Sequence, residues 1–230
     1  MRWLLTSVVA LIAGFAGAAL WHVSGLGQNA TRDYLLAHPE VLPQAMEVLQ
    51  QRDLAGRIGP RRAELERAFP GAVLGNPDGK VTLVEFTDYA CGYCAKSVAD
   101  VQALIATNPD LRVVVREFPI LRPESVDAAR MALAAAEQGK FAAFHNAMFG
   151  LGQPDADTIA AAAKQAGVDL EKAQASIARG IYDAHLQANA QLAQELGISG
   201  TPGWVTGDKI LAGAVGGEAI GAAIAEARKS

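Results

Sequence analysis

The rhythm of apolar and polar positions changes several times along the chain, and each change marks an element. Residues 3–23 (WLLTSVVALIAGFAGAALWHV) are an apolar run without formal charge behind Arg2. From Thr31 to Phe69 the apolar residues thin to helical spacing, with Leu42, Ala45, Met46 and Leu49 recurring three and four apart. Thr31 suits the cap of a short helix ending at Ala37, and Pro39 the first turn of the next. Gly56, Gly59 and Pro60 interrupt this zone before RRAELERAF (61–69) resumes it. The turn cluster LGNPDGK (74–80) marks a boundary. After it, VTLVEF (81–86) is β-branched and apolar, as in a buried strand. AKSVADVQALIAT (95–107) has helical periodicity up to Asn108-Pro109-Asp110, and LRVVVREFPI (111–120) is a second strand running into Pro119. Pro123 to Leu196 is Ala-rich and helical, punctuated by Gly139, Pro154, Gly167 and Gly180. GISGTPGWVTGDKILAG (197–213) holds two short strands joined by Gly207-Asp208, and a last helix follows.

The element order predicts an α/β fold: βαβ, a helical block at about 123–196, then ββα. Three parts follow: 1–23, a signal peptide or membrane anchor; 28–70, a helical extension; 71–230, the α/β domain with its helical insertion. The run at 3–23 sits at the long end for a signal segment and near the length of a spanning helix. Ala16-Gly17-Ala18 offers a cleavage site, whereas Trp21 and the Ser-Gly-Leu-Gly tether after it favour retention, the preferred reading. Either way the rest of the chain is exported to the periplasm. The stripe in the extension has two readings, a helix lying on its own domain or a self-associating stalk. Net charge is −4; six Arg balance six acidic residues in 28–70, and 13 basic face 18 acidic residues beyond Pro70. No basic stretch with interleaved aromatics occurs, which speaks against a nucleic-acid partner.

Both cysteines lie in VEFTDYACGYCAKS (84–97), two residues apart at the junction of strand and helix. A structural zinc site normally needs four Cys or His ligands, and the four histidines show no close pair, so no metal is expected. Capture of cuprous ion by two thiolates stays open as the alternative function. A passive disulfide closing so short a loop would add little stability. A redox pair fits best. Cys91 would stand exposed at the first helical turn, where unpaired N–H groups favour a thiolate, with Cys94 shielded one turn further in. One sulfur attacks and the other resolves the mixed disulfide. Glu85, six residues before Cys91, is either a buried acid serving Cys94 or an edge-strand residue in water. Thr201-Pro202 is either a cis bond, leaving the Thr201 backbone free for an extended substrate, or an ordinary trans turn. Phe86, Phe118, Phe141, Phe144 and Trp204 read as packing, His145 and His185 as surface or satisfied core, and Tyr93 as a tuning or substrate contact.

VEFTDYACGYC, the helical insertion and GISGTPGW together resemble the DsbA-like branch of the thioredoxin superfamily, from about Asn76 to the C-terminus. The resemblance implies a thioredoxin fold with an inserted helical domain, preceded here by the N-terminal helical extension. It implies a nucleophilic Cys91, a resolving Cys94, Glu85 as the buried acid, and a cis-Pro202 loop facing the pair. Thr201, Pro202, Gly92 and Tyr93 would then contact substrate. No cofactor is implied beyond the redox-active disulfide Cys91–Cys94. YLLAHPEVLPQAMEVLQ ahead of that motif is similar to suppressor-of-copper-sensitivity C proteins and Com-type oxidoreductases, some of which trimerise through this extension. Partners expected are cysteine-containing exported proteins, a membrane thiol–disulfide exchange partner, and further copies of the chain through 28–70. Gly92-Tyr93 stands where strong oxidants carry Pro-His, and Thr201 where they carry Val. Both differences resemble isomerases and reductants, and predict a less oxidising disulfide.

Overall fold

The computed structural model describes residues 2–23 and 26–229. The chain divides into two compact units, residues 1–50 and Gln51–Ser230. The first holds helices α1 (Arg2–Val23) and α2 (Leu26–Ala37) and the start of α3 (Val41–Ile58). Thr31 lies inside α2 and does not cap it, because the helix begins five residues earlier; α3 starts after the Pro39–Glu40 turn. Of the tether, Ser24 and Gly25 lie outside the described residues, while Leu26 onward is helical. Among the described residues no helix is long and apolar enough to cross a membrane, so the anchored reading gains no support. Leu42, Met46 and Leu49 are exposed along their stripe.

The division falls at Gln50/Gln51 and not at 70/71. Gly56 does not interrupt α3, since a lone glycine costs a helix only about 1 kcal/mol. Gly59–Arg61 then tightens to 3₁₀ geometry, and α4 is a single turn, Arg62–Leu65. Ile58 and Leu65 are fully buried in the core of the second unit. Arg116 holds this segment down. Its guanidinium donates to the carbonyls of Leu65 (3.0 Å), Arg67 (2.7 Å) and Glu64, and to Asn189 Oδ1 (2.9 Å).

Within the second unit the elements are β1 (Val73–Gly75), β2 (Val81–Thr87), α5 (Gly92–Thr107), β3 (Leu111–Glu117), α6 (Pro123–Glu137), α7 (Phe141–Leu151), α8 (Ala156–Ala166), α9 (Leu170–Ala178), α10 (Asp183–Leu196), β4 (Gly203–Thr206), β5 (Lys209–Ala212) and α11 (Gly216–Ala227). The sheet order is β1-β3-β2-β4-β5. β2 and β3 are parallel across α5, and β4 and β5 close the sheet antiparallel through a tight turn with Gly207 at φ +54°. This is the expected βαβ…ββα order. The short edge strand β1 was hidden in the turn cluster; it pairs antiparallel with β3.

Strand alternation sorts the core onto two faces. Leu83, Val113 and Val115 face one cluster with Val101 of α5, while Val84, Phe86 and Val114 face the other with Leu192 and Leu196 of α10. The helical block packs directly on the sheet. Ala128 to Ala136 of α6 and Phe141, Phe144 and Met148 of α7 share one continuous cluster with the sheet. Alanine makes this packing close, since nearly every side of α6 is buried. Glycines in the left-handed conformation end α8 at Gly167 and α10 at Gly197. The five aromatics expected to pack are buried: Phe86, Phe118, Phe141, Phe144 and Trp204.

Candidate active site

β2 runs into the site through Asp88, whose buried carboxylate shapes the loop. Its Oδ1 accepts the Ala90 N–H (2.8 Å), and its Oδ2 accepts those of Ile120 (2.8 Å) and Leu121 (2.9 Å). Its backbone carbonyl accepts the Cys91 N–H (3.0 Å). The turn that presents Cys91 is thereby tied to the loop after β3. Cys91 is the N-cap of α5: its Sγ accepts the Cys94 N–H at 3.2 Å. The same sulfur donates to the Thr201 carbonyl at 3.3 Å. Both cysteines are free thiols.

Cys91 is at the helix mouth as expected, but it is 5% exposed, not open to solvent. The Thr201-Pro202 bond is cis. The Thr201 carbonyl is engaged by the Cys91 thiol instead of free. Gly92 and Tyr93 present the exposed rim, Tyr93 at 63%, with Lys96 Nζ 5.4 Å from the Tyr93 ring centroid. Cys94 is fully buried. Burial pushes its thiol well above the ordinary range, and the neighbouring Cys91 adds to the rise.

Glu85 is buried at 2% exposure on the central strand, paired with Val115 and Trp204, which rules out the edge-strand reading. Burial pushes its carboxyl up to about 8; the adjacent Thr87 hydroxyl pulls the other way without forming a full hydrogen bond. A carboxyl titrating there holds a proton at neutral pH and can release it.

The sequence reading missed the groups around Glu85. Tyr89 hydroxyl donates to Glu117 Oε1 at 3.1 Å and stands 3.2 Å from His145 Nδ1. All three residues are buried. Burial pushes Glu117 up well above the carboxylate range and His145 down to about 4. His145 is thus a satisfied core residue. His185 is half-buried against Phe69 and is pushed down to about 4 by burial and by Arg116. A signal existed for Glu117: it is a charge inside the apolar run LRVVVREF, the same anomaly that singled out Glu85. Among the described residues no group of three or more His, Cys, Asp or Glu side chains is arranged to hold a metal ion.

Comparison with known proteins places this geometry. Residues 82–225 match the DSBA-like thioredoxin domain family. The chain belongs to that family. Residues 30–55 match the copper resistance protein ScsC N-terminal domain. A thioredoxin-like oxidoreductase from Silicibacter pomeroyi is 42% identical, covering 69% of this chain and 92% of that one, with a TM-score of 0.66. Proteus mirabilis ScsC in a transitional conformation is 27% identical over 93% and 99% of the two chains, TM-score 0.66. A periplasmic thioredoxin-like protein from Salmonella enterica serovar Typhimurium is 28% identical over 74% and 96%, TM-score 0.64. Curated relatives include the Na(+)/H(+) antiporter NhaA 1 of Mycobacterium sp. (strain KMS), 40% identical over 72 residues. That match takes in 30% of this chain and 12% of the antiporter, so the chain spans a small part of that relative's length. The second unit therefore has the thioredoxin fold and carries a DsbA-like thiol–disulfide oxidoreductase domain.

Proposed function

We propose that the whole protein is an exported, periplasmic thiol–disulfide oxidoreductase acting on cysteine-containing exported proteins. The observation that carries this reading is the position of Cys91 Sγ, held between the Cys94 N–H and the carbonyl before cis-Pro202. In the reducing direction the Cys91 thiolate attacks one sulfur of a substrate disulfide. That bond breaks, and the other substrate sulfur leaves with its electron pair and takes up a proton. Glu85, once it has released its own proton, accepts the Cys94 proton as a carboxylate, and Cys94 attacks Cys91 Sγ, displacing the first substrate sulfur. The substrate is reduced and the pair Cys91–Cys94 oxidised; oxidation of a substrate runs the same steps backwards. Gly92 and Tyr93 form the rim that a substrate meets, and Thr201-Pro202 the loop it lies against. A membrane thiol–disulfide exchange partner resets the pair.

The absence of a cation between the cysteines and the Thr201 position support an isomerase-like or reducing direction. The exposed Leu42, Met46 and Leu49 stripe and the family match at 30–55 support self-association through 28–70. Several linked sites acting on one substrate would favour reshuffling of wrong disulfides. Refolding of scrambled ribonuclease and reduction of insulin test the reading. The full chain should be active in at least one, Cys91→Ser inactive in both, and Glu85→Gln slowed at the resolving step. Inactivity of the parent chain in both assays would sink it. A second reading, capture of cuprous ion by the same thiolates, is favoured by the match to a copper-resistance domain. Stoichiometric tight copper binding without disulfide exchange would select it.

A further inference from the structure

Two polar atoms on the sheet face that carries Glu85 are buried without a hydrogen-bond partner: Thr87 Oγ1 and Glu117 Oε2. Thr87 and Glu117 oppose one another in the β2–β3 register, and Glu85 lies two residues before Thr87. Paired positions on parallel strands share a face, and so do positions two apart, so all three side chains project to one side. Thr87 also acts on the Cys94 thiol. It therefore neighbours the resolving sulfur and Glu85, and shares a sheet face with Glu117.

The surroundings of Glu117 decide its charge. The titratable groups facing it are Glu85 and Asp88 from β2 and the loop beyond, Tyr89, and His145 from α7. From α10 comes the neutral Asn189, whose amide donates to the Glu117 backbone carbonyl at 3.0 Å. Asp88 is already committed to three backbone N–H groups, and buried His145 is neutral at pH 7. None of these groups supplies a positive charge. An ionised Glu117 would bury a carboxylate beside other carboxyls, with one oxygen receiving no donor; such a charge neutralises by keeping its proton. A neutral acid fits the contacts seen: Oε1 accepts from Tyr89, which leaves Oε2 for the hydrogen.

We propose that Glu117 is a neutral acid whose Oε2–H bonds through the Thr87 hydroxyl to the Glu85 carboxylate that forms during disulfide exchange, making Thr87 and Glu117 positioning residues for that reaction. When a substrate thiolate opens the Cys91–Cys94 disulfide, Cys94 leaves as a thiolate. Glu85 gives it a proton and becomes a carboxylate. The Thr87 O–H donates to that carboxylate, and Glu117 Oε2–H donates to Thr87 Oγ1. One negative charge moves from sulfur to oxygen and none is created. This deepens the exchange reading and rests on it, but one arm of the test is independent of activity.

The kinetic arm mixes the reduced full chain with 5,5′-dithiobis(2-nitrobenzoate). Cys91 takes up one thionitrobenzoate, and its displacement by Cys94 reports the resolving step as a function of pH. The midpoint of that profile reports Glu85 as the base. Glu117→Met and Thr87→Val each remove a donor, and each should raise the midpoint by about one pH unit, slowing the step about tenfold at neutral pH. The double variant should be no slower than either single one. Glu117→Gln, whose amide still donates, should stay within about twofold of the parent. A lowered midpoint in Glu117→Gln would show that Glu117 is an anion, and unchanged profiles in the Met and Val variants would show no coupling; either overturns the proposal. The independent arm follows carbon-13 carboxyl resonances of the unmodified protein. The resonance missing from Glu117→Gln should keep its protonated shift through neutral pH, and a carboxylate shift there overturns the proposal even if a variant fails to fold. If the parent releases no second thionitrobenzoate, the exchange reading falls, while the resonance still decides Glu117.

Discussion

Replacing Glu85 by Gln should stabilise the protein while impairing it. In the unfolded chain this carboxyl has the ordinary pKa of 4.5; in the fold, burial raises it to about 8. Below pH 4.5 both states hold the proton and the carboxyl contributes nothing to pH dependence. Between those values only the native state holds it, so stability falls as pH rises, and above 8 the loss is complete. The interval from 4.5 to neutral, at 1.36 kcal/mol per pH unit, makes the cost about 3 kcal/mol at pH 7 and about 5 kcal/mol above pH 8. Gln has the shape of the protonated acid and no charge to desolvate. Urea unfolding of the reduced parent and of Glu85→Gln, followed from acid to mildly alkaline pH, measures the difference directly. The two should match near pH 4 and separate by about 3 kcal/mol at pH 7, with the variant the more stable. Comparing the pair cancels the contribution of His145, which titrates in both. Equal stability of the two proteins at pH 7 would refute the argument, because Glu85 would then be either solvated or paired in the fold.

The other predictions concern the thiols, the junction before the sheet, and the extension. Iodoacetamide should modify Cys91 alone in the native reduced protein, and Cys94→Ala should accumulate a stable mixed disulfide with substrate; labelling of both sulfurs in the native state would contradict the burial of Cys94. Equilibration with glutathione should give a reduction potential more negative than about −120 mV, the figure for the strongest oxidant, and a value at that figure would remove the isomerase-like direction. Arg116→Met should cost about 3 kcal/mol by leaving carbonyls of residues 64–67 and Asn189 without their donor. Trypsin should then cut at Arg61, Arg62 or Arg67 ahead of the rest of the domain, and an unchanged digestion pattern would argue against the clasp. Glu at both Met46 and Leu49 should lower the mass in solution, measured by sedimentation, and an unchanged mass would remove the stripe from any assembly.

What was legible in the chain was whatever declares itself locally. VTLVEFT and LRVVVRE are apolar and β-branched enough to be strands in any context, and CGYC at the exit of the first announces its chemistry through spacing. Glu85 was legible because a carboxylate inside such a strand must have a partner or a raised pKa. β1 was not, because three residues at a sheet edge have no periodicity; only pairing with β3 makes Val73–Gly75 a strand. The junction at 51–69 reads in the sequence as part of the helical extension at 28–70, because nothing local to it shows what it packs against. Ile58 and Leu65 and the grip of Arg116 on the carbonyls nevertheless bind it to the core. The decisive stretch was Arg116-Glu117, at the end of the second strand. Adjacent residues of a strand point to opposite faces. Arg116 therefore reaches the segment at which the helical extension joins the second unit, while Glu117 turns to the face of Glu85, Tyr89 and His145. Two neighbouring charges that look like one solvated pair instead fasten the two sides of the sheet. Burial pulls the Arg116 guanidinium down to about 10, which leaves it charged at neutral pH among its carbonyl acceptors, and the acid cluster lacks any cation, so the same strand end supports a fixed charge on one side and a movable proton on the other.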